Sequence, residues 1–231
     1  MNKASFWDDC RIAVFDIDGT LYDPAPIRLR MAMMVGWHAA TTFDPKLVQL
    51  ISALRRRREA LADAEQTGFE AMLVADVAAS SGRSEAAVRA VLVDWFDHRP
   101  LPYLKRYLVP GITELFAALR QNGIQIGVLS DHRATEKLAA LGLSADIVVS
   151  AADPDIGVQK PNPKGLQSLL DRAGRRPAEA IMIGDRADRD GLIAQRTGTG
   201  FLLRGTGSEA NFQLFSDPVF QPVLNRAPGI R

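Results

Sequence analysis

Val14-Phe15-Asp16-Ile17-Asp18-Gly19-Thr20-Leu21 is the stretch that decides the fold, because an apolar run ends there in two carboxylates one residue apart, with a glycine behind them. The run 12–15 is apolar throughout, as a strand buried on both faces of a parallel sheet requires. Alternate residues of an extended strand share a face, but the chain must turn at Gly19. The two carboxylates can therefore converge from strand end and turn on one reacting centre. Paired acids in unlike surroundings take unlike roles, one ionised and nucleophilic, the other with its pKa raised by its neighbour.

Outward from this stretch the pattern repeats. Further runs rich in Val and Ile occupy 124–129, 147–149 and 181–183, with a weaker one at 201–203. Between them, Ile112, Leu115, Phe116 and Leu119 share a helical spacing, as do Leu166, Leu169, Leu170 and Ala173. Asn162-Pro163 reads as an N-cap followed by proline at the first helical position; Gly174 closes that helix and Asn122-Gly123 the earlier one. This alternation predicts an α/β fold with a doubly wound, Rossmann-like parallel sheet and a site at the carboxyl ends of its strands.

Residues 22–108 break the alternation, with several helical patterns and no convincing strand. Asp44-Pro45 and Ser84 can cap helices, and Val88, Val91, Leu92 and Trp95 have the spacing of one apolar face. The expected organisation is a helical cap domain, 22–108, inserted into a discontinuous core made of 1–21 and 109–231. In the tail, Phe212, Phe215 and Phe220 lie among turn formers without a period, which leaves docking on the core and packing between subunits both open.

Composition excludes several classes. The 231 residues are 47% hydrophobic and 24% charged with a formal net charge of +1, so no charge imbalance attracts nucleic acid. Cys10 is the single cysteine and has no CxxC partner, which rules out an internal disulfide and fits a reducing cytoplasm. MNKASFWDDC has two aspartates where a signal peptide needs an apolar run, and no stretch reaches about 18 uninterrupted apolar residues. A soluble cytoplasmic protein, monomer or homodimer, with neither membrane nor nucleic-acid partner, is expected. The run Arg55 to Arg58 is either a solvated helix face or an anion-attracting rim of the cap.

The DIDGTL of residues 16–21 resembles the first motif, DxDx(T/V), of the haloacid dehalogenase superfamily, and three counterparts of its later motifs follow in order. Leu129-Ser130-Asp131 is similar to the second, Lys160 within Gln159-Lys160-Pro161-Asn162-Pro163 to the third, and Gly184-Asp185-Arg186-Ala187-Asp188-Arg189-Asp190 to the fourth. Singly, Ser130 would read as a helix cap, Lys160 as a solvated surface lysine, and Asp185 with Asp190 as a turn and a cap. Their conjunction outweighs those readings. The resemblance spans about residues 11–205, and its helical insert is similar to that of the subgroup with an α-helical cap.

What the resemblance implies is a Mg²⁺-dependent phosphohydrolase acting on a small phosphorylated molecule. Asp16 would attack phosphorus to give an aspartyl phosphate, and Asp18 would protonate the leaving oxygen and then activate water. The Asp16 side chain, the Asp18 backbone carbonyl and the Asp185 side chain would hold Mg²⁺. Ser130 and Lys160 would hold phosphate oxygens, in a pocket completed by Gly19, Thr20 and Asp131, and Asp190 would orient Lys160 or a metal-bound water. Asp131 stands where many relatives have Asn and reads as a cap of the following helix. His132 and Arg133 read as the start of a surface helix, with contact to substrate as the alternative, and the directions of Asp188, Arg186 and Arg189 are undetermined.

Within the family, dehalogenases do not need the acid two residues after the nucleophile, so Asp18 favours phosphoryl transfer. A phosphonate hydrolase would need a cap lysine, and residues 22–108 contain only Lys46 and Lys105, at the margins. A phosphomutase, which shares the four motifs, and a catalytically silent binding module stay open. Arg28, Arg30 and the Arg55 to Arg58 run are candidates for anionic groups of the substrate.

Overall fold

Ile12, Ala13, Val14 and Phe15 are wholly buried, and their side chains divide between two cores. In the computed structural model, which describes residues 6–226, they form strand β1 (Ile12–Phe15). The other strands are β2 (Gln125–Ser130), β3 (Ile147–Ser150), β4 (Ala180–Gly184) and β5 (Gly200–Leu203). All pairings are parallel, in the order β3-β2-β1-β4-β5, so β1 is central, with Phe15 opposite Val128 on one side and Ile183 on the other.

The period of two along each strand sorts the core. Ala13 and Phe15 face one layer with Ile126, Val128, Ile181 and Ile183, while Ile12 and Val14 face the other with Leu129, Val149, Ala180 and Met182. The chain has ten α-helices among its described residues: α1 (Pro24–Thr42), α2 (Lys46–Asp63), α3 (Phe69–Ser81), α4 (Glu85–Leu92), α5 (Leu101–Leu104), α6 (Ile112–Gln121), α7 (Thr135–Leu141), α8 (Lys164–Ala173), α9 (Leu192–Thr197) and α10 (Gln221–Leu224). Helices α6 and α7 cover the first face of the sheet, and α8 and α9 the second. Helix α8 begins one residue later than its sequence suggests, with Pro163 outside the first turn, and Asn162 Oδ1 accepts from the Lys164 N–H at 3.1 Å.

The aromatic tail docks on the core. Phe215 and Phe220 are wholly buried, Phe15 lies 4.9 Å from Phe116 and 6.1 Å from Phe215 between ring centroids, and Phe212 meets Phe220 edge-on at 4.8 Å. Each such pair adds about 0.5–1.5 kcal/mol beyond burial. Trp7 ties the two ends of the chain together by donating its indole N–H to the Val219 carbonyl at 2.7 Å.

Between β1 and β2, helices α1 to α4 and the wide helical turn after them bury two apolar clusters, one around Leu54, Phe69, Leu73 and Val88, the other around Val35, Leu47, Ile51 and Trp95. Asp23 accepts from the Ala25 N–H and Pro24 starts α1, a matched cap and first position; Ser84 caps α4. Asp44 does not cap α2 with its side chain. Its carboxylate is drawn instead to the Arg83 guanidinium, at 2.7 and 3.0 Å. The entry and exit of this helical segment cross as one short antiparallel bridge, with the Val109 N–H on the Leu21 carbonyl and the Asp23 N–H on the Tyr107 carbonyl, both at 2.9 Å.

Candidate active site

The carboxyl ends of β1, β2 and β4 meet at one cavity of about 130 Å³. Asp16 is the last residue held in the ladder, its N–H on the Ile183 carbonyl at 2.9 Å. The chain then turns, the N–H groups of Thr20 and Leu21 both returning to the Ile17 carbonyl, while Gly19 takes φ +106°. Only glycine fits there. A Cβ on Gly19 would lie 2.0 Å from Asp185 Oδ2, so its absence lets the β4 carboxylate approach the turn. A Cβ on Gly184 would likewise lie 2.3 Å from the Asp190 carboxylate.

Lys160 is the electrostatic centre. Its Nζ donates to Asp16 Oδ1 and to Asp190 Oδ1, each at 2.6 Å, in a setting where the lysine is 4% exposed. Asp190 is turned inward by a wide helical turn over Ala187–Gly191, and its second oxygen accepts from the Arg186 N–H. Asp131 does not cap α7. Its Oδ1 accepts the Lys160 main-chain N–H at 2.9 Å, so it fixes the loop that carries the lysine.

Negative charge nevertheless exceeds positive charge here. Burial, and then the neighbouring Asp190, Asp185 and Asp18, push the Asp16 carboxyl well above its ordinary range against the pull of Lys160. Asp185 is pushed up to about 6 by burial and by Asp190. Burial alone would lower Lys160, but Asp16, Asp190 and Asp131 raise it well above the ordinary lysine value. Asp16, Asp185 and Asp190 each offer an oxygen within 4.8 Å of the others, an all-oxygen set that suits a hard divalent cation and would be relieved by one.

Asp18 lies in other surroundings. Burial would raise its carboxyl, but Lys137 and His132, with hydrogen bonds from Lys137 and the Tyr22 hydroxyl, hold it well below the usual range. Of the two paired acids the raised one is thus Asp16, since the neighbouring carboxylates crowd it and the nearby lysine of α7 goes to Asp18. Ser130 and Thr20 are buried and do not line the cavity; Ser130 Oγ accepts from the His132 N–H at 3.1 Å, and the Thr20 hydroxyl has no partner. The Gly19 carbonyl accepts from Arg204.

The residues around motif two and the cap depart from their sequence reading. His132 faces inward against Arg58, with Nη1 2.5 Å from Nδ1, whereas Arg133 is exposed and reaches Glu70. Of the run Arg55 to Arg58, only Arg58 lines the cavity; Arg57 pairs with Asp76, and Arg30 lies over the Tyr103 ring. Arg189, buried, bonds Glu59 and Asp63 of α2 as well as the Lys160 carbonyl, and Arg186 reaches Glu59, so motif four ties the sheet to the helices above it. Lys137 carries no sequence signal beyond a place on a helix, and Tyr22 and Gln159, each next to a motif, carry none that sets them apart from their neighbours.

A family model described as haloacid dehalogenase-like hydrolase matches residues 10–198. Among curated proteins, a glyceraldehyde 3-phosphate phosphatase of Methanopyrus kandleri is 28% identical over 194 residues, covering 81% of each chain. A phosphoglycolate phosphatase of Rhodospirillum rubrum is 30% identical over 185 residues, 76% of this chain and 71% of its own. A solved 2-haloacid dehalogenase from Pseudomonas syringae shares the fold with a TM-score of 0.64 at 19% identity, covering 94% of this chain and 98% of its own. Among the described residues, no helix is long and apolar enough to cross a membrane.

Proposed function

The chain belongs to the haloacid dehalogenase-like hydrolases, and from that premise we propose that it is a Mg²⁺-dependent phosphatase of a small phosphate monoester, working through an aspartyl phosphate on Asp16. The observation that carries this reading is Asp18, whose carboxylate lines the same cavity as Asp16 and the buried Lys160. A halide leaving group needs no proton and so no such acid. An alkoxide does. The two curated relatives named above are both phosphatases, which supports the same choice.

Asp16 Oδ1, gripped by Lys160, is the nucleophile, and the ammonium offsets the repulsion between carboxylate and phosphate. Asp131 and Asp190 keep that lysine in place from two directions. The Asp16 and Asp185 carboxylates, with the Asp18 carbonyl by family resemblance, would hold Mg²⁺, and Asp190 offers a further oxygen. Bound there, the ion would supply Lewis-acid charge neutralisation on the phosphate oxygens. Asp18 gives the leaving oxygen its proton. A phosphate dianion beside Asp16 raises the Asp18 carboxyl against the hold of Lys137, which favours the protonated form in the loaded site. Such acid–base assistance is worth about 10²–10⁴ in rate.

In this reading residues 22–108 are the cap domain and 1–21 with 109–231 the core. The cavity, well below the roughly 300–1,000 Å³ of drug-sized sites, suits a short substrate. The buried, unbridged Cys10 agrees with a reducing compartment. Purified protein is expected to hydrolyse p-nitrophenyl phosphate with Mg²⁺, and to lose this with a chelator or with Asp16→Asn. Turnover of a 2-haloacid in place of any phosphate ester would overturn the proposal.

A further inference from the structure

Five cationic side chains of lysine or arginine line the cavity, and three are spoken for: Lys160 by Asp16 and Asp190, Arg186 by Glu59 and Asp188, Arg189 by Glu59 and Asp63. Arg28 and Arg58 have no carboxylate within ion-pairing distance among the described residues. For Arg28, which is exposed, that costs little. Arg58 differs, because its Nε is buried and donates to nothing, and its Nη1 meets only the His132 ring. Burial, and then the Arg58 charge itself, push His132 well below its ordinary value, and an imidazole carries no negative charge in either form to balance the guanidinium. The Arg58 guanidinium is half-buried and feels Asp97, Asp131, Glu70 and Asp18 only beyond ion-pairing distance, so an anion bound directly to it would supply the hydrogen-bond partner that its Nε lacks.

We propose that Arg58, with Arg28 and His132 beside it, binds a second anionic group of the substrate, a carboxylate carried on a short chain next to the phosphate. The inference rests on the phosphatase reading and narrows it. Lys160 lies against Asp16 and serves the transferred phosphate; Arg58 comes from α2 in the helical insert and lines the same cavity. The planar fork of a guanidinium matches a carboxylate in two parallel hydrogen bonds, and a cavity of about 130 Å³ leaves little room for a second phosphate. Of the substrates in the names of the two curated relatives, phosphoglycolate carries such a carboxylate and glyceraldehyde 3-phosphate an uncharged aldehyde, so the reading favours the first type.

The test compares kcat/KM for 2-phosphoglycolate and for ethyl phosphate, which has a methyl where the former has its carboxylate. Wild-type protein should prefer the first by about 10² or more, and Arg58→Gln should cut that preference at least about 30-fold, chiefly through KM, with Arg58→Lys in between. A wild-type preference near one, equal slowing of both esters by Arg58→Gln, or a stronger preference for ethylene glycol bisphosphate would overturn the proposal. Calorimetric binding of phosphonoacetate against ethylphosphonate, with Mg²⁺ present, separates the two layers of the argument. Absence of hydrolysis with carboxylate-selective, Arg58-dependent binding would refute the phosphatase reading alone; binding indifferent to the carboxylate would refute the role of Arg58.

Discussion

Lys137 Nζ lies 2.6 Å from both carboxylate oxygens of Asp18, and the lysine is 5% exposed. The pair joins the first turn of the site to helix α7, across 119 residues of sequence. It fixes where the Asp18 carboxylate points.

Removing the lysine should therefore act on turnover more than on binding. Lys137→Met is expected to lower kcat by about 10–100-fold, within the range that general acid–base assistance supplies, while KM moves by less than about 3-fold. Lys137→Arg should recover part of kcat by keeping a charged donor. A Lys137→Met enzyme with wild-type kcat would show that the pair does not position Asp18.

Asp131 predicts a different signature. Asp131→Ala leaves the Lys160 N–H without its acceptor, and should cost about 1–3 kcal/mol in urea unfolding together with a fall in kcat/KM. Asp131→Asn keeps an oxygen acceptor and should be much milder on both counts. If Ala and Asn behave alike, the carboxylate acts through its charge and not through the hydrogen bond.

Cys10 supplies a pH dependence. Burial pushes its thiol up from 9.0 to about 12, partly opposed by hydrogen bonding with the Ile12 backbone and by the Arg11 charge. A folded-state pKa above the unfolded one means that this contribution is fully present below pH 9.0 and is lost as pH rises toward 12. Between pH 8 and 10 wild-type protein should lose about 1.4 kcal/mol more than Cys10→Ala, measured by urea unfolding. Equal losses would remove the thiol as the cause. Iodoacetamide should label Cys10 at pH 8.5 only after unfolding.

Much of the site is legible in the chain because its parts are local. Asp16 and Asp18 sit on one strand end, Gly184, Asp185 and Asp190 on one turn, and each strand carries its own apolar signature. The reading of Asp131 as a helix cap failed because its partner, the Lys160 N–H, is 29 residues away and leaves no local trace. His132 reads as a surface residue for the same reason. Its contact, Arg58, lies 74 residues off in the helical insert; Arg58 continues the apolar spacing of Leu47, Ile51, Leu54 and Leu61, which marks it as inward but not as the neighbour of His132.

By itself the sequence determined the five strands, the alternation that covers them, and the order of the acids and the lysine along the chain. Short-range physics governs those features, since backbone periodicity and turn chemistry act within a few residues. Which carboxylate Lys160 and Lys137 each take, whether Phe215 and Phe220 turn inward, and what the Arg58 side chain meets were decided only by tertiary structure. Charge pairing and burial depend on separations through space, and two side chains distant in sequence acquire a separation only when the sheet and helices bring them together.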